Sequence, residues 1–197
     1  MAYIFRKQVA PYGMFFESIR DPTRQEWFPQ LPRERDGPVE DWMRPYYPRE
    51  VFVDADESPL NHWGMGLGGM YCVSAKVKTL IEQLESGVHQ FLDVELRRGR
   101  DKKYPYHFLK FGRSFDCVDL EKSVVEWRER SYSGKIVRGW MPRPLHPLVV
   151  RSDLCRDAHL WQTATPPDLK FMSDKLYDLL SVYEALTGLD CEQQQEI

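Results

Sequence analysis

Ser74-Ala-Lys-Val-Lys-Thr-Leu-Ile-Glu-Gln-Leu-Glu-Ser-Gly87, followed by Phe91-Leu-Asp-Val-Glu-Leu-Arg97 and Tyr104-Pro-Tyr-His-Phe-Leu-Lys-Phe111, decides the fold. In the first stretch Val77, Leu80, Ile81 and Leu84 recur at helical spacing. Ser74 suits the N-cap and Gly87 the left-handed position beyond the last turn, so a helix is predicted over 74–87. In the second, Leu92, Val94 and Leu96 alternate with Asp93, Glu95 and Arg97, the period of a half-buried strand. The third is aromatic-rich and strand-like. Arg98-Gly-Arg-Asp-Lys-Lys103 between them reads as a polar hairpin tip.

Outward from this centre the same signals continue. Val124–Arg130 and Lys135–Trp140 flank Tyr132-Ser-Gly134 as a second hairpin. Pro142, Pro144 and Pro147 lead to an extended Leu148–Val150, and a short element carries Leu160 and Trp161. A last helix is predicted over Ser173–Thr187, with Leu176, Leu179, Leu180, Tyr183 and Leu186 as its stripe, Ser173 its cap and Gly188 its stop. No internal repeat or low-complexity tract stands out. The first 60 residues differ: they hold eight of the 14 prolines, which disfavour regular helix or central strand. They also carry many aromatics, among them Tyr3, Phe5, Trp27, Phe28 and Phe52, unlike a disordered segment. The expectation is an irregular, packed N-terminal lobe over 1–60, with short strands at Tyr3–Phe5 and Glu50–Val53. The fold class expected is α+β: an antiparallel sheet packed by two main helices.

Chain length, 197 residues, fits a single domain over 1–197, able to bury about 70% of its surface. The net charge of −3 lacks the basic excess of a duplex-binding module, so no nucleic-acid partner is expected. No apolar run approaches the ~20 residues of a membrane helix. The N-terminus lacks the apolar core of an export signal, because Arg6, Lys7 and Gln8 interrupt it. A soluble, cytoplasmic chain with no membrane association is expected. Cys72, Cys117, Cys155 and Cys191 are scattered and read as reduced thiols, each packing as a small hydrophobe. Nothing in the pattern fixes an oligomeric state.

The motifs that could carry chemistry are few. Gly64-Met-Gly-Leu-Gly-Gly69 matches GxGxxG formally, but no strand is predicted before it and no helix opens at it, so it reads as a glycine turn. Cys155 and His159 make the only close Cys/His pair, without the second pair a structural zinc takes. Cys117 beside Asp116, with His107 on a neighbouring strand, is the one nucleophile arrangement to weigh, and no glycine elbow surrounds it. The cations of Arg97–Lys103 fit a solvated hairpin end. No catalytic residue, cofactor or metal is expected. From Asp36 to Leu60 seven acids face two arginines, a net of −5. Asp41, Trp42, Tyr46, Tyr47, Asp54, Asp56, Glu57 and Trp63 are therefore the candidate partner-binding surface, suited to a basic protein.

The order of segments resembles a known family. Cys72-Val-Ser-Ala-Lys-Val-Lys-Thr-Leu-Ile-Glu82, Gly87-Val-His-Gln-Phe91 running into Val94-Glu-Leu96, and Tyr106-His-Phe-Leu109 are similar to its consecutive helix and strands. Phe115-Asp-Cys-Val-Asp-Leu-Glu-Lys-Ser123, Leu169-Lys-Phe-Met-Ser-Asp-Lys-Leu176 and Leu186-Thr-Gly-Leu189 continue the likeness, with Phe171-Met-Ser-Asp174 standing where the family has V-S-D. Over about residues 70–190 the chain resembles immunity-protein family eleven of bacterial polymorphic toxin systems, and over the first 60 only loosely. The resemblance implies an antitoxin: a non-enzymatic protein that binds a cognate toxin or effector and neutralises it by stoichiometric occlusion. The alternatives are a small cysteine-dependent hydrolase and an effector adaptor or chaperone.

Overall fold

The computed structural model describes residues 1–6, 16–17, 38–44, 47, 49–53, 60–65, 71–98, 102–132, 135–143, 146–165 and 169–197. Most of the lobe expected over 1–60 lies outside them. So do residues 66–69 of the glycine motif and the 99–101 and 133–134 hairpin tips. In chain order the described strands are β1 (Ala2–Arg6), β2 (Phe16–Glu17), β3 (Glu50–Val53), β4 (Trp63–Met65), β5 (Tyr71–Ser74), β6 (Gln90–Arg98) and β7 (Lys102–Lys110). They continue with β8 (Ser114–Phe115), β9 (Val125–Tyr132), β10 (Lys135–Pro142), β11 (Val149–Val150), β12 (Leu160–Thr163), β13 (Lys170–Ser173), β14 (Asp190–Gln193) and β15 (Gln195–Glu196). The helices are α1 (Ala75–Leu84) and α2 (Asp174–Val182). The α+β class holds, with mainly antiparallel strands.

Contacts divide the chain into two compact units: Met1–Arg6 with Arg113–Tyr177 and Cys191–Ile197, and Lys7–Gly112 with Asp178–Asp190. The second is built on the stretch that opens the sequence reading. Ser74 Oγ accepts from the Val77 N–H at 3.3 Å, the N-cap bond expected of a serine there. Val77, Leu80 and Ile81 are buried, and α1 packs against β5 and β7. Gly87 takes the left-handed conformation at φ +71°. β6 and β7 pair antiparallel from Gln90↔Lys110 to Arg98↔Lys102, which turns Leu92, Val94 and Leu96 into the core with Tyr106 and Phe108. The six-stranded sheet runs β2-β3-β6-β7-β5-β4. Expected strand Glu50–Val53 is β3, and it lies parallel to β6.

Two strands of this sheet, β4 and β5, lie where the sequence reading has a turn and a helix lead-in. All four residues of β5, Tyr71-Cys-Val-Ser74, are buried, so the strand shows no alternation of buried and exposed positions. Trp63 of β4 fills the core at 0% exposure.

The first unit has a five-stranded sheet, β14-β1-β13-β12-β8, and two smaller pairs, β9 with β10 and β11 with β15. β1, expected at Tyr3–Phe5, pairs antiparallel with β13. Ile4, Trp140, Leu148, Val150, Trp161 and Phe171 form its core, where Trp161 and Phe171 stack at 5.7 Å.

The last helix is shorter than expected: α2 stops at Val182 rather than continuing to Thr187. Glu184 takes a left-handed φ of +53°, and the Ala185 and Glu184 N–H groups close on the carbonyls of Leu180 (2.7 Å) and Ser181 (2.9 Å). That bond pair is a Schellman ending with glutamate where glycine is usual. Tyr183, expected on the apolar stripe, is half exposed, and Gly188 at φ +87° belongs to a later turn.

Candidate functional site

The eight expected partner-binding residues separate on inspection. Trp63 is buried with its indole N–H donating to the Ala185 carbonyl at 2.9 Å, and Tyr47 is buried in the β6/β7 core. Both spend their area inside the unit. Asp41 is exposed and pairs with Arg44 at 3.1 Å. Trp42 is 61% exposed, its indole N–H bonded to Glu40 Oε2 at 2.7 Å. Tyr46, Asp54, Asp56 and Glu57 lie outside the described residues.

Of the nucleophile arrangement weighed from sequence, His107 and Cys117 belong to different units. His107 Nδ1 instead meets Asp93 Oδ1 at 2.9 Å, and its pKa lies below the ordinary histidine value because burial outweighs Asp93. Asp116 Oδ1 accepts the Thr165 N–H (3.1 Å) and hydroxyl (2.8 Å), which ties the chain after β8 to the chain after β12. Cys117 has a polar neighbour that spacing could not reveal: the Trp161 indole N–H donates to its sulfur at 3.2 Å. Interaction with Cys155 and this indole donor lower the pKa of the Cys117 thiol, while the same interaction and burial raise that of Cys155.

Serine–histidine contacts occur twice. His62 Nδ1 lies 2.8 Å from Ser74 Oγ, and His159 Nδ1 lies 2.8 Å from Ser173 Oγ. In each case the serine oxygen also accepts a helix N–H, from Val77 and from Leu176, and the serine N–H bonds the carbonyl of the same histidine. The recurrence extends to sequence: Ser74-Ala-Lys-Val-Lys-Thr-Leu-Ile81 and Ser173-Asp-Lys-Leu-Tyr-Asp-Leu-Leu180 share Ser, Lys and the apolar positions. A pair doubled in this way, with each hydroxyl committed to a cap, is a device for starting a helix after a strand. His159 is thereby turned to Ser173, and Cys155 Sγ bonds the Arg151 carbonyl at 3.4 Å. Among the described residues no three His, Cys, Asp or Glu side chains converge as a metal site would require.

Buried Glu85 and His89 form another close polar pair, at 2.9 Å. The Gly112 N–H donates to His89 Nδ1 at 3.1 Å, which leaves the ring proton on Nε2, facing Glu85. This pair ties the end of α1 to the end of β7. At the basic tip Lys103 bonds Glu95 (2.7 Å) and Arg97 bonds Glu50 (2.6 Å), so acids answer part of its charge.

The surface that sequence reasoning missed lies on the β9/β10 ribbon. Trp127 pairs directly across from Trp140, so both rings stand on one face, with Arg138 and Ile136 following. Trp140 is buried at 6%, whereas Trp127 is 50% and Ile136 73% exposed. Arg138 lies over the Trp127 ring at 5.1 Å. One apolar stripe thus begins in the core and runs out into solvent. The signal was the alternation in Val125-Glu-Trp-Arg-Glu129 and Ile136-Val-Arg-Gly-Trp140, read as a hairpin without asking which end stays covered.

Among the described residues no helix is long and apolar enough to cross a membrane. No curated protein matches the chain. The sequence model of the Immunity protein family (Imm11) matches residues 16–196, taking in much of the proline-rich lobe as well as the stretch that carries the motifs. The chain therefore belongs to the Immunity protein family (Imm11).

Proposed function

We propose that this protein is an antitoxin that neutralises a cognate bacterial toxin by binding it one to one in the cytoplasm and covering the surface the toxin needs. The toxin belongs to a polymorphic toxin system, and protection makes and breaks no bond in the toxin. Family membership supports the reading. The observation that carries its physical side is the half-exposed Trp127, held under Arg138 with Ile136 on the same face of the β9/β10 ribbon. Tryptophan and arginine are the residue types that dominate tight interfaces, and a solvent-facing apolar stripe gains free energy only when something covers it. The acidic 36–57 stretch is a second candidate face, with Asp41 and Trp42 exposed and Asp54, Asp56 and Glu57 adding charge that steers a basic partner.

Co-expression with the adjacent toxin gene tests the proposal. Growth should be rescued and the two chains should co-purify in equal amounts. A toxin that kills equally well when bound would sink the reading. Rescue should survive Cys117→Ala; its loss, with the variant folded, would favour the hydrolase.

A further inference from the structure

We propose that this protein pairs with a second copy of itself along the outer edge of β9, the two ribbons joining into one four-stranded antiparallel sheet. The hairpin register fixes which backbone groups face that edge. The Arg143 N–H donates to the Val124 carbonyl at 3.4 Å, so the pair at the base of the ribbon, one step beyond Val125↔Pro142, is hydrogen-bonded. Bonded and non-bonded pairs alternate along an antiparallel ladder. The N–H and carbonyl groups of Val125, Trp127 and Glu129 therefore point away from β10. Among the described residues no strand takes them up, since β9 and β10 form a sheet of two. Such an edge is a template for another strand.

The edge of β9 is open where it matters. Residues 126–129 are exposed, and so are Glu121, Lys122 and Val124 towards its base. β10, by contrast, runs into the core at Trp140.

The side chains say which strand fits. Charges on an edge deter indiscriminate pairing, but not pairing with a strand that sets the opposite charge against each of them. An antiparallel copy of β9 is such a strand. With the two-fold axis at Trp127, Glu126 of each copy stands opposite Arg128 of the other. Both side chains already lie on one face of β9, where Arg128 Nε and Nη2 reach the two Glu126 carboxylate oxygens at 3.0 and 2.9 Å. In this register Trp127 exchanges both backbone bonds with its own copy, and Val125 exchanges both with Glu129. Centring the axis on Glu126, Arg128 or Glu129 would instead set that charge against itself, which destabilises a sheet. On the opposite face the two Trp127 rings come side by side, each with Arg138 over it. An edge contact of this kind buries less than about 1,200 Å², so the dimer should form and separate with concentration.

Sedimentation velocity on the full chain, from about 1 to 100 µM, tests the pairing. Wild-type protein should pass from monomer to dimer across that range. Arg128→Glu opposes acid to acid twice, and Glu126→Arg opposes arginine to arginine twice, so each alone should weaken self-association about tenfold or more. Mixed in equal amounts, the same two variants should form a heterodimer, because every opposed pair is then acid against base. Glu129→Pro removes an outward N–H at a position where an edge strand tolerates proline, and should leave a folded monomer by circular dichroism. Wild-type protein still monomeric at about 100 µM would overturn the proposal. So would a dimer that the charge variants and Glu129→Pro leave intact, or charge variants that ignore each other when mixed. The wild-type measurement decides even where a variant fails to fold, and none of these readouts involves a toxin.

Discussion

Gly112 shows how much a single residue can fix. A Cβ built there would lie 1.7 Å from the Val88 carbonyl oxygen, a backbone atom that cannot swing aside. The Gly112 N–H also holds His89 in the orientation that serves Glu85. Gly112→Ala should therefore cost about 3 kcal/mol or more in urea unfolding, at the upper end of overpacking effects. Glu184 is the opposite case. It holds a left-handed conformation that glycine takes freely, so Glu184→Gly should raise stability by about 1 kcal/mol or less once the looser unfolded chain is subtracted. Neither residue is conspicuous in sequence, because a close approach and a sign of φ leave no periodic trace. The histidines make a pH prediction. His62 and His107 both have lowered pKa values, burial being the first cause of each. The unfolded chain then binds protons that the folded chain resists. Stability should fall as pH drops below about 6.5, the ordinary histidine value, towards the lowered folded values. The double variant His62→Gln, His107→Gln should flatten the slope of unfolding free energy against pH between roughly 7 and 5. An unchanged slope would show that other groups carry it.

At the scale of elements, legibility followed from whether one face is wet. α1 and β6 each bury one side and expose the other, so Val77, Leu80 and Ile81 or Leu92, Val94 and Leu96 could be read directly. β5, buried at every residue, offers no alternation, and its four residues merge with the helix that follows. α2 was legible at its start and not at its end. Ser173 caps it as expected, but the stop depends on the backbone bonds around Glu184, which side-chain periodicity does not register. The two serine caps make a matched pair for experiment. Ser74→Ala and Ser173→Ala should each cost about 1–2 kcal/mol by chemical denaturation, because each removes the N-cap acceptor and the partner of a histidine ring nitrogen. Threonine at either position should recover most of the loss. A null effect at both would mean that the bonds around these hydroxyls are replaced by water at no cost.

For the molecule as a whole, the family was legible because the order of helix, strands and closing helix survives in the motifs, whereas no motif marks a partner-binding face. Charge and aromatic content singled out residues 36–57, but composition does not distinguish a tryptophan that seals a core, such as Trp63, from one left exposed, such as Trp42 or Trp127. Only the register of β9 with β10 shows Trp127 opposite a buried Trp140 and itself half in solvent. The two faces predict different kinetics, so they can be separated. On the ribbon, Trp127→Ala with Arg138→Glu removes a packed aromatic and inverts a charge. Binding to the cognate toxin should weaken by about 2 kcal/mol or more, roughly 30-fold, mostly as faster dissociation. Exposed side chains contribute little to folding, so thermal unfolding should barely move. On the acidic stretch, Asp54→Lys with Asp56→Lys should act on association instead, slowing it most at low salt, because long-range attraction to a basic partner is screened within about 10 Å at 0.1 M ionic strength. Faster dissociation in the first variant with unchanged association in the second would place the toxin on the ribbon alone. Unchanged rates in both would remove both faces and leave occlusion to a surface neither pattern marks.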